Sequence, residues 1–171
     1  KGKFITHTFE ENAHPIFVKN INIKKEVKRA RLYATGLGVY EIYLNNKKVG
    51  DEYLLPGIHA YDSWLQYQTF ELDLSLGNNL FEARFGDGWY KSRYGLKTKG
   101  PQRDKEHVFI GEVYIEYQDG SFELVATDLD WQVKKGKVVF DDIYDGEIYD
   151  TTLDDSELFP VKETYFDKNL L

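Results

Sequence analysis

The chain has 171 residues, enough for one domain, and its 42% hydrophobic and 30% charged content is typical of a soluble globular protein. Its net charge of −7 argues against nucleic acid or an anionic membrane as the partner, since both require a basic surface. The lack of cysteine excludes disulfides and thiolate metal sites. Residues 1–10 lack the apolar run of a signal peptide, which favours the cytoplasm, although the location is otherwise open.

Short alternating segments predict strands along the chain. Residues 30–35 form the first, and residues 39–44 form the next, with Tyr40, Ile42 and Leu44 on one face. Asn45-Asn46 then predicts a turn, because asparagine tolerates the left-handed backbone conformation. Asp119-Gly120 predicts a hairpin. The other predicted strands are residues 66–72, 80–85, 113–117, 122–125 and 138–144.

No segment repeats its apolar residues with a sustained helical period. Residues 18–32 come nearest to a helix, but their apolar positions fit no single face. Many short strands at regular spacing favour an all-β, antiparallel sandwich or jelly roll. Residues 56–65 and 89–106 are predicted to be long loops, which are often functional on such a scaffold.

The histidines and the acidic residues are the first candidates for chemistry. His7, His14, His59 and His107 have no zinc-binding spacing, so we expect scattered surface or loop histidines and no metal site among them. A cluster of acidic residues has three interpretations. The residues form turns and a solvated strand edge, they bind calcium, or two of them are the catalytic carboxylates of a glycosidase. The members of this acidic cluster are Asp141, Asp142, Asp145, Glu147, Asp150, Asp154 and Asp155.

A second candidate follows the strand that ends at Phe85. Asp87 lies between two glycines, and Trp89 and Tyr90 follow. The sequence after Asp87 does not predict the start of a helix. Such a loop can present an uncrowded carboxylate to sugar hydroxyls and an aromatic ring to the apolar face of a pyranose. The alternative is a tight turn in which Trp89 caps the sandwich core. The sequence leaves both readings open.

Several sequence blocks in series resemble the N-terminal domain of bacterial α-L-rhamnosidases. The blocks cover most of the chain, and their order makes the resemblance much more specific than any one of them. Two departures lie in loops: Asn45-Asn46 replaces an Asn-Gly turn, and Ile58-His59-Ala60 replaces a Trp-Thr-Asp stretch. The matching blocks are residues 30–41 (ARLYATGLGVYE), 43–51 (YLNNKKVGD), 55–57 (LPG), 66–69 (QYQT), 86–90 (GDGWY) and 142–150 (DIYDGEIYD).

The resemblance implies a jelly-roll sandwich of the galactose-binding-like type. The parent enzymes remove terminal α-L-rhamnose, with inversion, and their catalytic acids lie in a separate helical barrel further along the chain. We therefore expect a non-catalytic module at residues 1–159, inactive alone, and a connector toward a following domain at residues 160–171. Some related modules bind rhamnose with a calcium ion, so no cofactor is assigned but calcium is possible, and others only pack against the enzyme.

Three functions remain open from the sequence. The first is recognition of a rhamnose-containing glycan by side chains of the two loops around Asp87 and Asn45-Asn46. The second is a structural domain that packs against the remaining domains of the parent enzyme. The third is an independent hydrolase that uses the acidic cluster. The predicted carbohydrate-binding residues are Asp87, Trp89, Tyr90, Asn45 and Asn46.

Overall fold

Strands account for almost all of the regular structure in residues 1–9, 13–93 and 106–166, which are the residues that the computed structural model describes. The only helix among them, α1, is the short segment Gly88–Lys91. The strands are β1 Ile5–Thr6, β2 Pro15–Ile23, β3 Val27–Leu37, β4 Val39–Leu44, β5 Lys47–Val49, β6 Gln68–Glu71, β7 Gly77–Gly86, β8 Val108–Tyr117, β9 Phe122–Ala126, β10 Gln132–Lys135, β11 Val138–Asp142, β12 Gly146–Tyr149, β13 Phe159–Pro160 and β14 Lys162–Glu163.

Two antiparallel sheets form the sandwich. Sheet A has the order β14-β1-β8-β3-β6, and β9 pairs with the second half of β8. Sheet B has the order β13-β10-β2-β7-β4-β5. The strands β11 and β12 form a separate hairpin. Consecutive strands often lie in different sheets, so the chain crosses repeatedly between the two layers.

The core lies between the two sheets, where alternate side chains of each strand are buried. Phe109 of sheet A is at its centre, and its ring centroid lies 5.7 Å from that of Phe17, 5.8 Å from that of Phe85 and 5.7 Å from that of Trp131. Each large apolar side chain contributes about 1.5–3 kcal/mol when it is fully removed from water. This aromatic cluster therefore holds the layers together and fixes the ends of the strands next to it.

The all-β sandwich predicted from the sequence is confirmed. The segment 39–44 is β4, and its buried positions are Tyr40, Ile42 and Leu44 as the alternation indicated. The asparagine turn is also confirmed, since Asn45 and Asn46 have φ angles of 51° and 64°. Residues 18–32, the nearest helical alternative, are divided between β2 and β3.

The structure differs from the predicted elements at several places. A helix does begin at Gly88, contrary to the expectation for the sequence after Asp87. The strand predicted at residues 138–144 ends at Asp142, where a turn leads into β12. Next to the predicted boundary at residue 159, the short strands β13 and β14 pair with β10 and β1. Most of the long loop predicted at residues 89–106 lies outside the described residues.

In the part of the chain that the structure describes, no helix is long and apolar enough to cross a membrane.

Candidate functional site

A groove of about 590 Å³ opens over the outer face of sheet B. Strands β2, β4, β7 and β10 form its floor, and the hairpin β11–β12 forms one wall. Its other side is formed by the segment after β5. The side chains that give it chemical character are Glu41, Tyr53, Arg84, Lys134, Glu147, Tyr149 and Asp155.

The floor of the groove carries two cations held by one buried acid. Glu82 is 2% exposed, and its carboxylate accepts hydrogen bonds from Arg84 at 2.6 Å and pairs with Lys134 at 2.8 Å. Burial raises the pKa of Glu82, but the hydrogen bonds from Lys134 and Arg84 outweigh burial and hold that pKa below its usual value. The acid is therefore ionised, and it fixes both cations at the base of the groove.

Aromatic rings and further charges extend this network. The guanidinium of Arg84 lies 3.8 Å from the centroid of the Tyr43 ring. The hydroxyl of Tyr43 donates a hydrogen bond of 2.9 Å to Glu41, and Lys48 donates one of 2.7 Å to the same carboxylate. Lys48 also lies 3.6 Å from the ring centroid of Tyr53. The groove thus offers positioned charged groups beside accessible aromatic surface.

A second group of polar side chains lies beneath one end of the groove. His14 precedes β2, Asp87 follows β7 and His107 precedes β8, and all three side chains are buried. Nε2 of His14 lies 3.1 Å from Oδ1 of Asp87, and the two groups are hydrogen-bonded. Nε2 of His107 also lies 3.1 Å from that oxygen, but it is not oriented for a hydrogen bond. We call these three residues the His-Asp-His cluster.

Two further charged groups contact the His-Asp-His cluster. Nζ of Lys91 lies 3.7 Å from Oδ1 of Asp87. The carboxylate of Asp141 accepts a hydrogen bond of 2.9 Å from the backbone N–H of Asp87, and it lies 4.0 Å from Nδ1 of His14. His14 and Asp141 both line the groove, so the cluster is connected to it.

Burial determines the charge of His107. Its complete burial lowers its pKa to about 3, although Asp87 opposes this effect, so the imidazole is neutral at pH 7. Burial raises the pKa of Asp87, but the nitrogens of His107 and His14 more than reverse that effect and hold the pKa below its usual range. Asp87 is therefore the anion of the cluster. Burial also raises the pKa of Asp141.

The structure corrects the expectation that Asp87 presents its carboxylate to solvent. Asp87 is 5% exposed, and its side chain points into the His-Asp-His cluster. Trp89 and Tyr90 are half-buried in α1. Tyr90 packs on a smaller apolar cluster, and its ring centroid lies 4.9 Å from that of Tyr61. None of these three predicted binding residues lines the groove.

The asparagine turn lies far from Asp87. Val39, at the start of β4, pairs with Gly86, whereas the turn follows Leu44 at the other end of the strand. A strand of this length spans roughly 20 Å, so Asn45 and Asn46 do not share a site with Asp87. The side chain of Asn45 is used locally, since its carbonyl oxygen accepts a hydrogen bond of 2.8 Å from the backbone of Leu80.

Members of the acidic cluster make separate local contacts. The carboxylates of Asp142, Asp150 and Asp154 each accept a hydrogen bond from the backbone N–H two residues later, which is the turn-forming role considered from the sequence. Asp145 pairs with Arg93 at 2.6 Å. Among the described residues, the one set of at least three side chains placed to share a metal ion is instead the His-Asp-His cluster.

The expectation of scattered histidines is wrong for two of the four, which lie just outside strands but meet in space. His14 and His107 are both buried in the His-Asp-His cluster, and their ring centroids lie 5.2 Å apart. They are 93 positions apart in the chain, so no local spacing could connect them. One feature could have indicated that the two histidines meet. Each directly precedes a strand, and the ends of these strands lie together at the rim of the sandwich.

Comparison with known proteins gives a consistent family relationship. The model of the α-L-rhamnosidase N-terminal domain matches residues 25–169 of this chain. An α-L-rhamnosidase from Streptomyces avermitilis is 39% identical over 129 residues, which cover 74% of this chain and 12% of that protein. The chain thus spans only about an eighth of that relative.

Solved structures give the same relationship at the level of the fold. The crystal structure of native α-L-rhamnosidase from Aspergillus terreus matches 98% of this chain and 22% of its own, with a TM-score of 0.85 and 25% identity. A lectin from Pleurotus ostreatus matches 95% of this chain and 41% of its own, with a TM-score of 0.59 and 19% identity. The likeness to the lectin is one of fold alone.

Proposed function

The chain belongs to the family of α-L-rhamnosidase N-terminal domains, and we propose that it is a non-catalytic module that binds a rhamnose-containing glycan in the groove over sheet B. In this proposal the remaining domains of a parent α-L-rhamnosidase carry the hydrolysis. The module holds the glycan near them. The five residues first expected to bind sugar are replaced by residues of the groove, because Asp87 is buried and the asparagine turn is remote.

The observation that carries the proposal is the pairing of fixed charges with exposed aromatic surface in one groove. Proteins recognise sugars by multiple hydrogen bonds to adjacent hydroxyls and by packing of rings on the apolar face of the pyranose. Arg84 and Lys134 supply donors that Glu82 holds in place. Tyr149, which is 57% exposed, supplies a ring on the hairpin wall.

Removal of this ring tests the proposal. We expect Tyr149→Ala to weaken binding of L-rhamnose or a rhamnose-terminated oligosaccharide about three- to tenfold, in line with about 0.5–1.5 kcal/mol for an aromatic contact. The matched control is Tyr67→Ala, because Tyr67 is 55% exposed and does not line the groove. Titration calorimetry gives both affinities. Equal affinities for the two variants and the wild type would exclude the groove as the binding site.

A structural role is the second candidate, and the outer face of sheet A favours it. Four exposed aromatic residues lie there in two contacting pairs, with ring centroids 6.2 Å and 5.3 Å apart. Exposed aromatic surface on a sheet face is typical of a docking surface. We expect Phe122→Ser to weaken docking to the separately expressed remainder of the parent enzyme if this role holds, and Tyr149→Ala to leave docking unchanged. The aromatic residues are Tyr33, Tyr67, Tyr114 and Phe122.

A further inference from the structure

We propose that His14, Asp87 and His107 form a binding site for a divalent transition metal ion, with Zn²⁺ as the representative ion. The proposal is independent of glycan binding, since it rests on the geometry of the His-Asp-His cluster alone. The site would join both sheets, because His14 and Asp87 flank strands of sheet B and His107 precedes a strand of sheet A.

The distances fit coordination of one ion. Around a tetrahedral Zn²⁺ with bonds of about 2.0–2.1 Å, neighbouring ligand atoms lie about 3.3 Å apart. Nε2 of each histidine lies 3.1 Å from Oδ1 of Asp87, and one ligand atom from each residue lies within 4.8 Å of the others. Ligand atoms at the 4.8 Å limit would have to approach each other by up to about 1.5 Å on coordination. Three protein ligands leave a fourth position for water or an exogenous oxygen.

The unpartnered nitrogens of His107 are the independent observation that points to a ligand. Both ring nitrogens are buried without a hydrogen-bond partner, and the whole residue is 2% exposed. A buried polar atom without a partner costs about 1–3 kcal/mol. Coordination of Nε2 to a metal ion satisfies that atom. A shared ion would replace the 3.1 Å contact between Nε2 and Asp87 with a bond from the ion to each of the two groups.

The surroundings of His14 are also those of a metal ligand. Histidines that bind a metal ion through one nitrogen commonly direct the other toward a carboxylate, which orients the ring. Nδ1 of His14 lies 4.0 Å from Asp141, on the side opposite to Asp87. The same Asp141 accepts the backbone N–H of Asp87 at 2.9 Å. Asp141 thus holds the backbone of one ligand and lies near the ring of a second.

The donor set decides which class of ion fits. Calcium prefers six to eight oxygen ligands, whereas two of the three ligands here are imidazole nitrogens. Imidazole with one carboxylate suits Zn²⁺ and neighbouring first-row ions. This preference distinguishes the cluster from the calcium site considered for the acidic segment of the sequence.

Lys91 is the group that competes with a metal ion. Its Nζ lies 3.7 Å from the Asp87 oxygen that would bind the ion, so the ammonium must move or lose part of that interaction on coordination. The repulsion lowers the affinity for a cation. We therefore expect Lys91→Met to bind Zn²⁺ more tightly than the wild type, whereas a purely structural Lys-Asp pair predicts no Zn²⁺ binding with either side chain.

The test uses the purified chain after treatment with a chelator and dialysis. We expect titration calorimetry with ZnCl₂ at pH 7 to give one ion per chain, and the melting temperature to rise with Zn²⁺ concentration because only the folded state contains the complete site. His107→Asn is expected to weaken binding at least about tenfold. The matched control is His59→Asn, since His59 is also buried but belongs to no such cluster.

Cobalt gives a readout that does not depend on the stability of any variant. Wild-type chain titrated with CoCl₂ is expected to develop the visible absorption bands of a nitrogen-coordinated, four-coordinate ion, and Zn²⁺ is expected to remove them. If the wild type shows neither these bands nor saturable Zn²⁺ binding, the proposal is overturned. It is also overturned if folded His107→Asn binds Zn²⁺ as tightly as His59→Asn does.

Discussion

Asp87 lies between two glycines, and in an isolated loop this setting would leave its carboxylate open to solvent. In the fold, the end of β7 directs the side chain inward, and the nitrogens of His14, His107 and Lys91 surround one of its oxygens. A buried carboxylate in such a setting stabilises the fold only while its partners remain. Asp87 therefore contributes to the stability of the fold, whether or not it also binds a ligand.

Replacement of Asp87 is expected to destabilise the protein. Asp87→Ala leaves the ammonium of Lys91 with less compensation in a buried site, so we predict a loss of about 3 kcal/mol in the free energy of unfolding. Urea denaturation of chelator-treated protein measures this loss. The control is Asp145→Ala, which removes an ion pair at an exposed carboxylate and is expected to cost less than about 1 kcal/mol. Equal stabilities for the two variants would mean that Asp87 has no such role.

The neutral state of His107 predicts a specific dependence of stability on pH. Its pKa is lowered from 6.5 to about 3 on folding, so the unfolded chain binds a proton that the folded chain does not. Its contribution is complete above pH 6.5 and decreases as the pH falls toward 3, by up to about 1.4 kcal/mol per pH unit. Between pH 7 and pH 5 we expect a loss of about 2 kcal/mol from this residue.

Urea denaturation in the presence of a chelator at both pH values measures the loss. The titratable groups that face the imidazole are Asp87, Lys91 and His14, and they are the same in a His107→Gln variant. This variant lacks the titrating group, so its stability is expected to decrease less steeply over the same interval. Parallel curves for the variant and the wild type would contradict the prediction.

The connection between β3 and β4 shows how one short element positions the site. The chain leaves sheet A at Leu37 and enters sheet B at Val39, so Gly38 alone makes the crossing. Gly38 has φ of 124°, and a Cβ atom there would lie 2.6 Å from the carbonyl oxygen of Gly86. The close approach brings β4 beside the end of β7, next to the His-Asp-His cluster.

Gly38→Ala is therefore expected to lower the free energy of unfolding by more than the positive φ angle alone would. We predict a loss of about 3 kcal/mol or more in the free energy of unfolding, because the strained φ and the clash with Gly86 add together. Gly120→Ala is the matched control, since Gly120 also has a positive φ but open space around it. It is expected to cost about 1–2 kcal/mol. Thermal or urea denaturation compares them, and equal losses would exclude the clash.

The elements that the sequence predicted are those with a local signal. The alternation in residues 39–44 and the turns at Asn45-Asn46 and Asp119-Gly120 arise from neighbouring residues, and the structure confirms them. The short strands β1, β13 and β14 have only a few residues each and depend on pairing with distant strands. Their sequences carry no periodicity that could have identified them.

The site was predicted less well than the fold, and the reason lies at the scale of the whole molecule. The His-Asp-His cluster unites residues from three distant parts of the chain, and the groove unites four strands with a separate hairpin. Both depend on the order of strands in the two sheets, which single-sequence patterns do not contain. The sequence offered the motif around Asp87 as either a sugar-binding loop or a tight turn, and in the structure the side chain of Asp87 faces the interior.

The whole module is expected to lack hydrolase activity. Six of the seven carboxylates in the acidic segment already have a partner: Asp142, Asp150 and Asp154 are engaged in turns, Asp141 accepts the backbone N–H of Asp87, Asp145 is paired with Arg93 and Asp155 with Lys137. A glycosidase instead requires two free carboxylates on either side of the scissile bond. We predict no turnover of an aryl α-L-rhamnoside by the purified chain. Activity that persists after repurification and is lost in Asp141→Asn would contradict this prediction.

The most direct test of glycan binding in the groove is a nuclear magnetic resonance titration of the isotope-labelled chain with L-rhamnose. We predict saturable shift changes at groove residues such as Arg84, Lys134 and Tyr149, with the Asn45-Asn46 turn unaffected. Saturable changes confined to residues outside the groove, or no saturable change at any residue, would contradict the proposal that this module binds rhamnose in the groove over sheet B.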